Sequence, residues 1–105
     1  MKTRLCSFDE LEPGSARRFD VGDHRIAVVR LDDEVYAIGD TCSHQNVSLS
    51  EGEVDADDRT IECWKHGSTF ALETGEALIL PATQPVPVYD VRVDDGQIVV
   101  VLDGE

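Results

Sequence analysis

The apolar positions of this chain fall into short runs separated by turn residues, and within the runs they alternate rather than follow a helical period. RFDV and HRIAVVRL flank Gly22-Asp23, a hairpin signal. EVYAIG follows a turn at Asp32-Asp33. RTIECW and STFAL come next, and STFAL runs into ETGE, a turn built on Gly75. In VPVYDVRV, Val88, Asp90 and Arg92 share one face of a strand and Tyr89, Val91 and Val93 the other. Asp95-Gly96 is a further hairpin turn, after which Ile98 to Leu102 reads as a buried strand. SFDEL allows one helical turn, and nothing longer reads as helical. Short strands at regular spacing predict an all-β sandwich or small barrel.

The span from about Thr41 to Ala82 differs from its surroundings. It is richer in Cys, His, Ser and Gly and alternates less, so it reads as an excursion inserted between strands. The chain of 105 residues suits a single domain, with no repeat and no linker.

Charge narrows the possible partners. Twenty-two acidic residues face nine Lys and Arg, a formal net charge of −13. Phosphate contacts need a positive face, so nucleic acid is excluded as an expected partner. The 41% hydrophobic content, much of it β-branched, argues against disorder. An acidic domain that docks on basic patches of other proteins fits, as does a merely solvated acidic surface. The N-terminal MKTRLCSFDELEPG has no apolar signal region, and no run approaches the roughly 18 apolar residues of a membrane span. A cytoplasmic monomer without a membrane contact is therefore expected.

Cysteines number three, an odd count that argues for metal ligands in a reducing compartment over a disulfide framework. Cys42 and His44 stand one residue apart, Cys63 and His66 two apart, and 18 residues separate the pairs. Thiolate and imidazole together suit zinc, iron or copper. Zinc would take all four side chains tetrahedrally as a structural staple. A two-iron cluster would take the cysteines on one iron and the histidines on the other. The order Cys-His then Cys-His, with unequal gaps, is unusual for zinc ribbons and fingers and tilts the reading toward the cluster. Outside the pairs, Cys6 reads as a small buried hydrophobe, His24 as a surface residue, and Trp64 as packed under a loop, with a place at a docking face as the alternative.

The two boxes, Cys42-Ser-His44 and Cys63-Trp-Lys-His66-Gly67-Ser-Thr-Phe70, resemble the cluster-binding boxes of Rieske [2Fe–2S] proteins. DTCSHQNVSLSEGEV and TGEALILPATQPVPVYDVRV resemble the first and third loops of the small Rieske ferredoxins of bacterial ring-hydroxylating oxygenase systems. The resemblance covers nearly the whole chain. It implies the Rieske fold, an antiparallel β-sandwich or barrel base with a small inserted cluster-binding subdomain at about 41–82. It implies one [2Fe–2S] cluster held by Cys42 and Cys63 on the inner iron and His44 and His66 on the outer, with Pro81 in a loop that covers it. Neutral imidazoles in place of thiolates remove negative charge, so the electron is held more tightly than in all-cysteine clusters.

Respiratory Rieske proteins carry an extra cysteine in each box, joined as a disulfide. Those positions here are Val47 and Lys65. Ser68 stands where high-potential relatives use a serine hydroxyl on cluster sulfur, but the tyrosine paired with it is Phe70. The resemblance therefore implies a soluble carrier toward the low end of the Rieske range, roughly −150 mV. It would shuttle electrons from a flavin-dependent ferredoxin reductase to a terminal non-haem iron oxygenase and would not itself be an enzyme. An accessory ferredoxin for iron–sulfur assembly or another redox process is the alternative reading, and a zinc-binding interaction module the remote one. The gap between boxes is slightly longer than usual in these ferredoxins, and VDADDRT, expected as an acidic surface loop, accommodates the excess.

Overall fold

The computed structural model describes residues 2–22, 24–41, 48–65, 67–79 and 84–101. Among the described residues, ten strands form two antiparallel sheets. They are β1 (Lys2–Ser7), β2 (Ser15–Val21), β3 (His24–Leu31), β4 (Glu34–Gly39), β5 (Glu53–Asp55), β6 (Thr60–Glu62), β7 (Thr69–Ala71), β8 (Ala77–Ile79), β9 (Val88–Asp94) and β10 (Gln97–Val101). Six of them pair in the order β1-β10-β9-β4-β3-β2 and four in the order β5-β6-β7-β8. The smaller sheet lies wholly between β4 and β9 in the chain, where the sequence reads as an excursion.

The hairpins follow their turn residues. Val21 pairs with His24 across Gly22-Asp23, Leu31 with Glu34 across Asp32-Asp33, and Asp94 with Gln97 across Asp95-Gly96. Asp32 and Asp95 both adopt positive φ, a conformation these tight turns demand and Asp tolerates better than most residues. SFDEL forms a single 3-10 turn at Phe8–Glu10, and a second, which the apolar pattern does not signal, lies at Leu49–Glu51.

The unbroken apolar run of β3 has a physical cause: the strand separates two cores. Ala27, Val29 and Leu31 face a cluster completed by Ile38, Leu49, Ile61, Cys63, Phe70, Leu72 and Val86. Ile26 and Val28 face the other way, onto Cys6, Leu11, Ala37, Ile98 and Val100. The first core therefore joins the two sheets, and the second closes the six-stranded base. In β10 only Ile98 and Val100 are fully buried, while Val99 and Val101 are half-covered, so the expected buried run is an alternating strand. In β9, Tyr89 and Val91 pack on the second core as their shared face predicts, whereas Val93 is 43% exposed. Cys6 is buried as expected, and burial first, with Glu10 second, pushes its thiol pKa up. Among the described residues no helix is long and apolar enough to cross a membrane.

Arg30 holds the segment between β1 and β2 onto the base. Its guanidinium donates to the carbonyls of Asp32 (2.7 Å), Leu11 (2.8 Å) and Phe8 (3.3 Å) and lies 3.9 Å over the Phe8 ring. Replacing Arg30 with Ala should lower stability by about 2 kcal/mol, from lost charged hydrogen bonds and the ring contact. Arg30→Lys should recover little, since a point ammonium cannot span three carbonyls. Denaturant midpoints of the two variants against the parent check both expectations.

Candidate metal centre

Of the four residues singled out in the sequence, Cys63 lies within the described structure. Cys42, His44 and His66 lie outside the described residues, as does Pro81. Cys63 directly follows β6, has a free thiol and is 1% exposed. The connection from β6 to β7 is a tight turn. The Cys63 N–H donates to the Ser68 carbonyl at 2.6 Å, and the Gly67 N–H donates to the Cys63 carbonyl at 3.0 Å. Gly67 closes it with φ +77°, which a side chain would strain. Cys63 and Ser68 are held inward, and Trp64 and Lys65 are thrown outward.

Trp64 is 54% exposed, which corrects the expectation that it packs under a loop. The backbone bonds from Cys63 to Ser68 and from Gly67 to Cys63 close the turn behind it, and the indole projects outward. His24 is also corrected. It is half-buried against Tyr89, ring edge to ring face at 5.6 Å, with Nδ1 3.3 Å from the tyrosine hydroxyl.

The segment that carries Cys42 and His44 leaves β4 at Asp40-Thr41 and returns at Ser48. Thr41 and Ser48 form a β-bridge, and the Leu49 N–H donates to the Asp40 carbonyl at 2.6 Å, so the two ends of the segment stand side by side. The returning chain, through the 3-10 turn Leu49–Glu51, is then pressed against the second box at Gly52. A Cβ on Gly52 would stand 1.8 Å from the Glu62 carbonyl oxygen, so only glycine fits there. The exit of the first box thus lies against the residue that precedes Cys63. Glycine in SEGEV was the available sequence signal for this contact, but it reads equally as a surface turn.

The donor chemistry suits an iron–sulfur centre. A buried free thiol, whose backbone N–H and carbonyl are both hydrogen-bonded, is presented one residue after Glu62, whose carbonyl the chain returning from the first Cys/His pair packs against at Gly52. A Rieske [2Fe-2S] domain model matches residues 1–90. The chain belongs to the Rieske [2Fe-2S] family. The 3-phenylpropionate/cinnamic acid dioxygenase ferredoxin subunit of Photorhabdus laumondii is 43% identical over 101 residues, 96% of this chain and 94% of that one. The ferredoxin of carbazole 1,9a-dioxygenase from Nocardioides aromaticivorans IC177 superposes with a TM-score of 0.93 at 40% identity, covering 95% of this chain and 96% of that one. A complex of reduced oxygenase and oxidized ferredoxin in carbazole 1,9a-dioxygenase contains a chain with a TM-score of 0.88 at 39% identity, covering 95% and 92%. The Rieske fold, the Rieske-type [2Fe–2S] cofactor and the role of electron carrier follow for this chain.

The acidic VDADDRT stretch is the β5–β6 hairpin, with Asp55 Oδ1 accepting the N–H groups of Asp57 (3.0 Å) and Asp58 (3.2 Å). Its turn points away from the Cys63 end. Arg59 pairs with Glu73 at 2.9 Å and with Glu34, at the start of β4, at 3.6 Å, whereas the first box leaves the other end of β4. Asp57 and Asp58 are therefore more than about 10 Å of strand from Cys63. Glu53 and Glu62 are directly opposite one another beside it.

Gly52→Ala should force the end of β6 and the chain at Gly52 apart, at a cost of about 1–3 kcal/mol. The cluster should be affected before the base, so visible absorbance of the variant should decay at a temperature where its far-UV circular dichroism still matches the parent.

Proposed function

We propose that Cys42 and Cys63 hold one iron of the [2Fe–2S] cluster and His44 and His66 the other. We also propose that the chain acts as one domain, with about 41–82 as its cluster-binding part, to carry electrons singly from a flavin-dependent reductase to a terminal non-haem iron oxygenase. The observation that carries the ligand set is the contact of Gly52 with the Glu62 carbonyl, which packs the exit of one Cys/His box against the entry of the other. The oxygenase is supported by the 39%-identical ferredoxin found in complex with carbazole 1,9a-dioxygenase oxygenase. The reading places the protein in the cytoplasm as a monomer, where Cys6 persists as a thiol and Cys63 is kept from disulfide formation.

A cluster bound there takes up and returns one electron. The residues of the chain do the rest. Cys63 is buried, so its thiolate is kept from water and from oxidants. Trp64 and Lys65 stand exposed beside it and offer a partner a mostly apolar contact with one positive charge. Glu53 and Glu62 lie at the flank, and their field draws a basic docking site toward this end of the molecule.

Purified under anaerobic conditions, the protein should hold about two irons and two labile sulfides. Cys42→Ser and Cys63→Ser should each abolish both, and Cys63→Ser should also destabilise the fold, because its side chain is part of the core. Stoichiometric zinc without labile sulfide would sink the assignment.

Stopped-flow electron transfer to the oxygenase should slow as salt rises toward physiological strength, where the Debye length is about 8 Å. Neutralising Glu53 and Glu62 should flatten that dependence, while Asp57→Asn with Asp58→Asn should leave it nearly intact. Trp64→Ala should weaken association roughly tenfold at every salt concentration. Equal effects of the two pairs of acids would show that net charge alone, and not its position, sets the encounter.

A further inference from the structure

Asp40 is the most deeply buried carboxylate among the described residues, at 1% exposure, and electron carrying gives it no obvious task. Its side chain spans the neck of the first box. Oδ2 accepts the Ser48 hydroxyl at 2.6 Å, and Oδ1 accepts the Ser50 backbone N–H at 3.0 Å. The Ser48 and Ser50 hydroxyls lie 2.8 Å apart, so one can orient the other. The Asp40 main chain is fixed on both sides as well. Its N–H donates to the Arg25 carbonyl at 2.9 Å and its carbonyl accepts the Leu49 N–H at 2.6 Å. Arg18 Nε stands 3.8 Å from Oδ2 while also paired with Asp20 at 2.9 Å, so the burial of the carboxylate is partly offset from the rim.

A backbone bridge alone already brings Thr41 beside Ser48. The additional buried charge is costly unless fully bonded, and here both of its side-chain hydrogen bonds go to residues that follow the box, with only the 3.8 Å ion pair to Arg18 on the base. We propose that Asp40 is a positioning residue for the cluster: a buried carboxylate staple that fixes the width of the neck from which Cys42 and His44 are presented. Asp40 precedes Cys42 by two residues, and Ser48 and Ser50 follow His44 by four and six. A change in neck width is therefore passed directly to both side chains through a short stretch of main chain. The staple rests on the ligand assignment proposed above for Cys42 and His44.

Three variants of the cluster-loaded protein test it: Asp40→Ala, Asp40→Asn and Ser48→Ala. Cluster loss is followed as bleaching of visible absorbance with a ferrous chelator present, alongside far-UV circular dichroism. The line shape of the reduced cluster is followed by electron paramagnetic resonance. Asp40→Ala should release iron at least about tenfold faster than the parent, since a hydrogen bond to a charged group is worth that much, at a temperature where its strand signal is unchanged. Its resonance should broaden, because the ligands are no longer held in one geometry. Asp40→Asn keeps an acceptor for the Ser50 N–H and should recover much of the slow release and the narrow line, and Ser48→Ala should fall between. The staple is overturned if Asp40→Ala releases iron at the parent rate with an unchanged line. It is equally overturned if release only accompanies loss of the strand signal, which would make Asp40 a general support of the fold. Cys42→Ser separates the two readings. If that variant keeps a full complement of iron and sulfide, the ligand assignment has failed. If it loses them while Asp40→Ala matches the parent, only the staple has failed.

Discussion

A methyl group on Gly52 would stand 1.8 Å from the carbonyl oxygen of Glu62, inside any permitted contact. The two backbones meet there with nothing between them. Side chains can adjust to a changed neighbour, but a main-chain contact of this kind fixes the separation of the segments it joins. On one side of it the chain is returning from Cys42 and His44, and on the other it is about to deliver Cys63. A centre that draws ligands from two distant boxes needs their relative position fixed within a few tenths of an ångström. The two strands of the base that flank the excursion, β4 and β9, are held together in the same manner. The Gly39 N–H donates to the Pro87 carbonyl at 2.8 Å, and Pro87 packs so closely on Gly39 that a Cβ would stand 2.8 Å from its ring.

Cys63 connects this geometry to stability. It belongs to the core that Ala27, Val29, Leu31 and Ile38 of the base share with Leu49, Ile61, Phe70 and Leu72 of the excursion. In the ligand role proposed for it, this core residue would couple cofactor retention to packing, so that loosening of the core is felt at the metal and loss of the metal in the core. The base shares this exposure only through the face of β3 and β4 that carries Ala27, Val29, Leu31 and Ile38. Its second core, around Ile26, Val28, Ile98 and Val100, lies on the far side of β3 and contains no proposed ligand. A protein built this way can lose its cluster while its six-stranded sheet stands.

What the sequence discloses is what is encoded locally. Gly22-Asp23, Asp32-Asp33 and Asp95-Gly96 specify their hairpins because turn conformation depends on the residues in the turn. The Cys/His boxes are legible for the same reason, since spacing and ligand chemistry both lie within a few residues. Long-range features are not. His24 and Tyr89 are 65 positions apart, and neither carries a sign of the other. Trp64 reads alike whether it turns in or out, and only the hydrogen bonds of the 63–68 turn decide. Asp40 is one acid among 22 acidic residues, and its partners are two of the serines of a serine-rich stretch. Gly52 is a glycine beside two glutamates, which reads as surface. The acidic hairpin is recognisable in sequence, but its pole is set by the pairing of Arg59 with Glu34 and Glu73.

That pole changes the meaning of the net charge. A charge of −13 gives a field but no direction. Direction comes from the acids close to the surface where a partner docks, because screening removes most of the influence of exposed charges beyond about 8 Å at physiological salt. Glu53 and Glu62 face each other across β5 and β6, an arrangement that weakens a strand pair. Their placement beside Cys63 is costly to the smaller sheet yet puts negative charge next to the uncovered Trp64 and Lys65. Asp57 and Asp58, at the far turn, give their backbone N–H groups to the Asp55 carboxylate, as in an ordinary side-chain-capped turn. The acids therefore divide by position into a pair that shapes approach to the exposed tip and a set that keeps the hairpin closed and hydrated. The same residue type serves recognition at one end of a short strand and turn chemistry at the other.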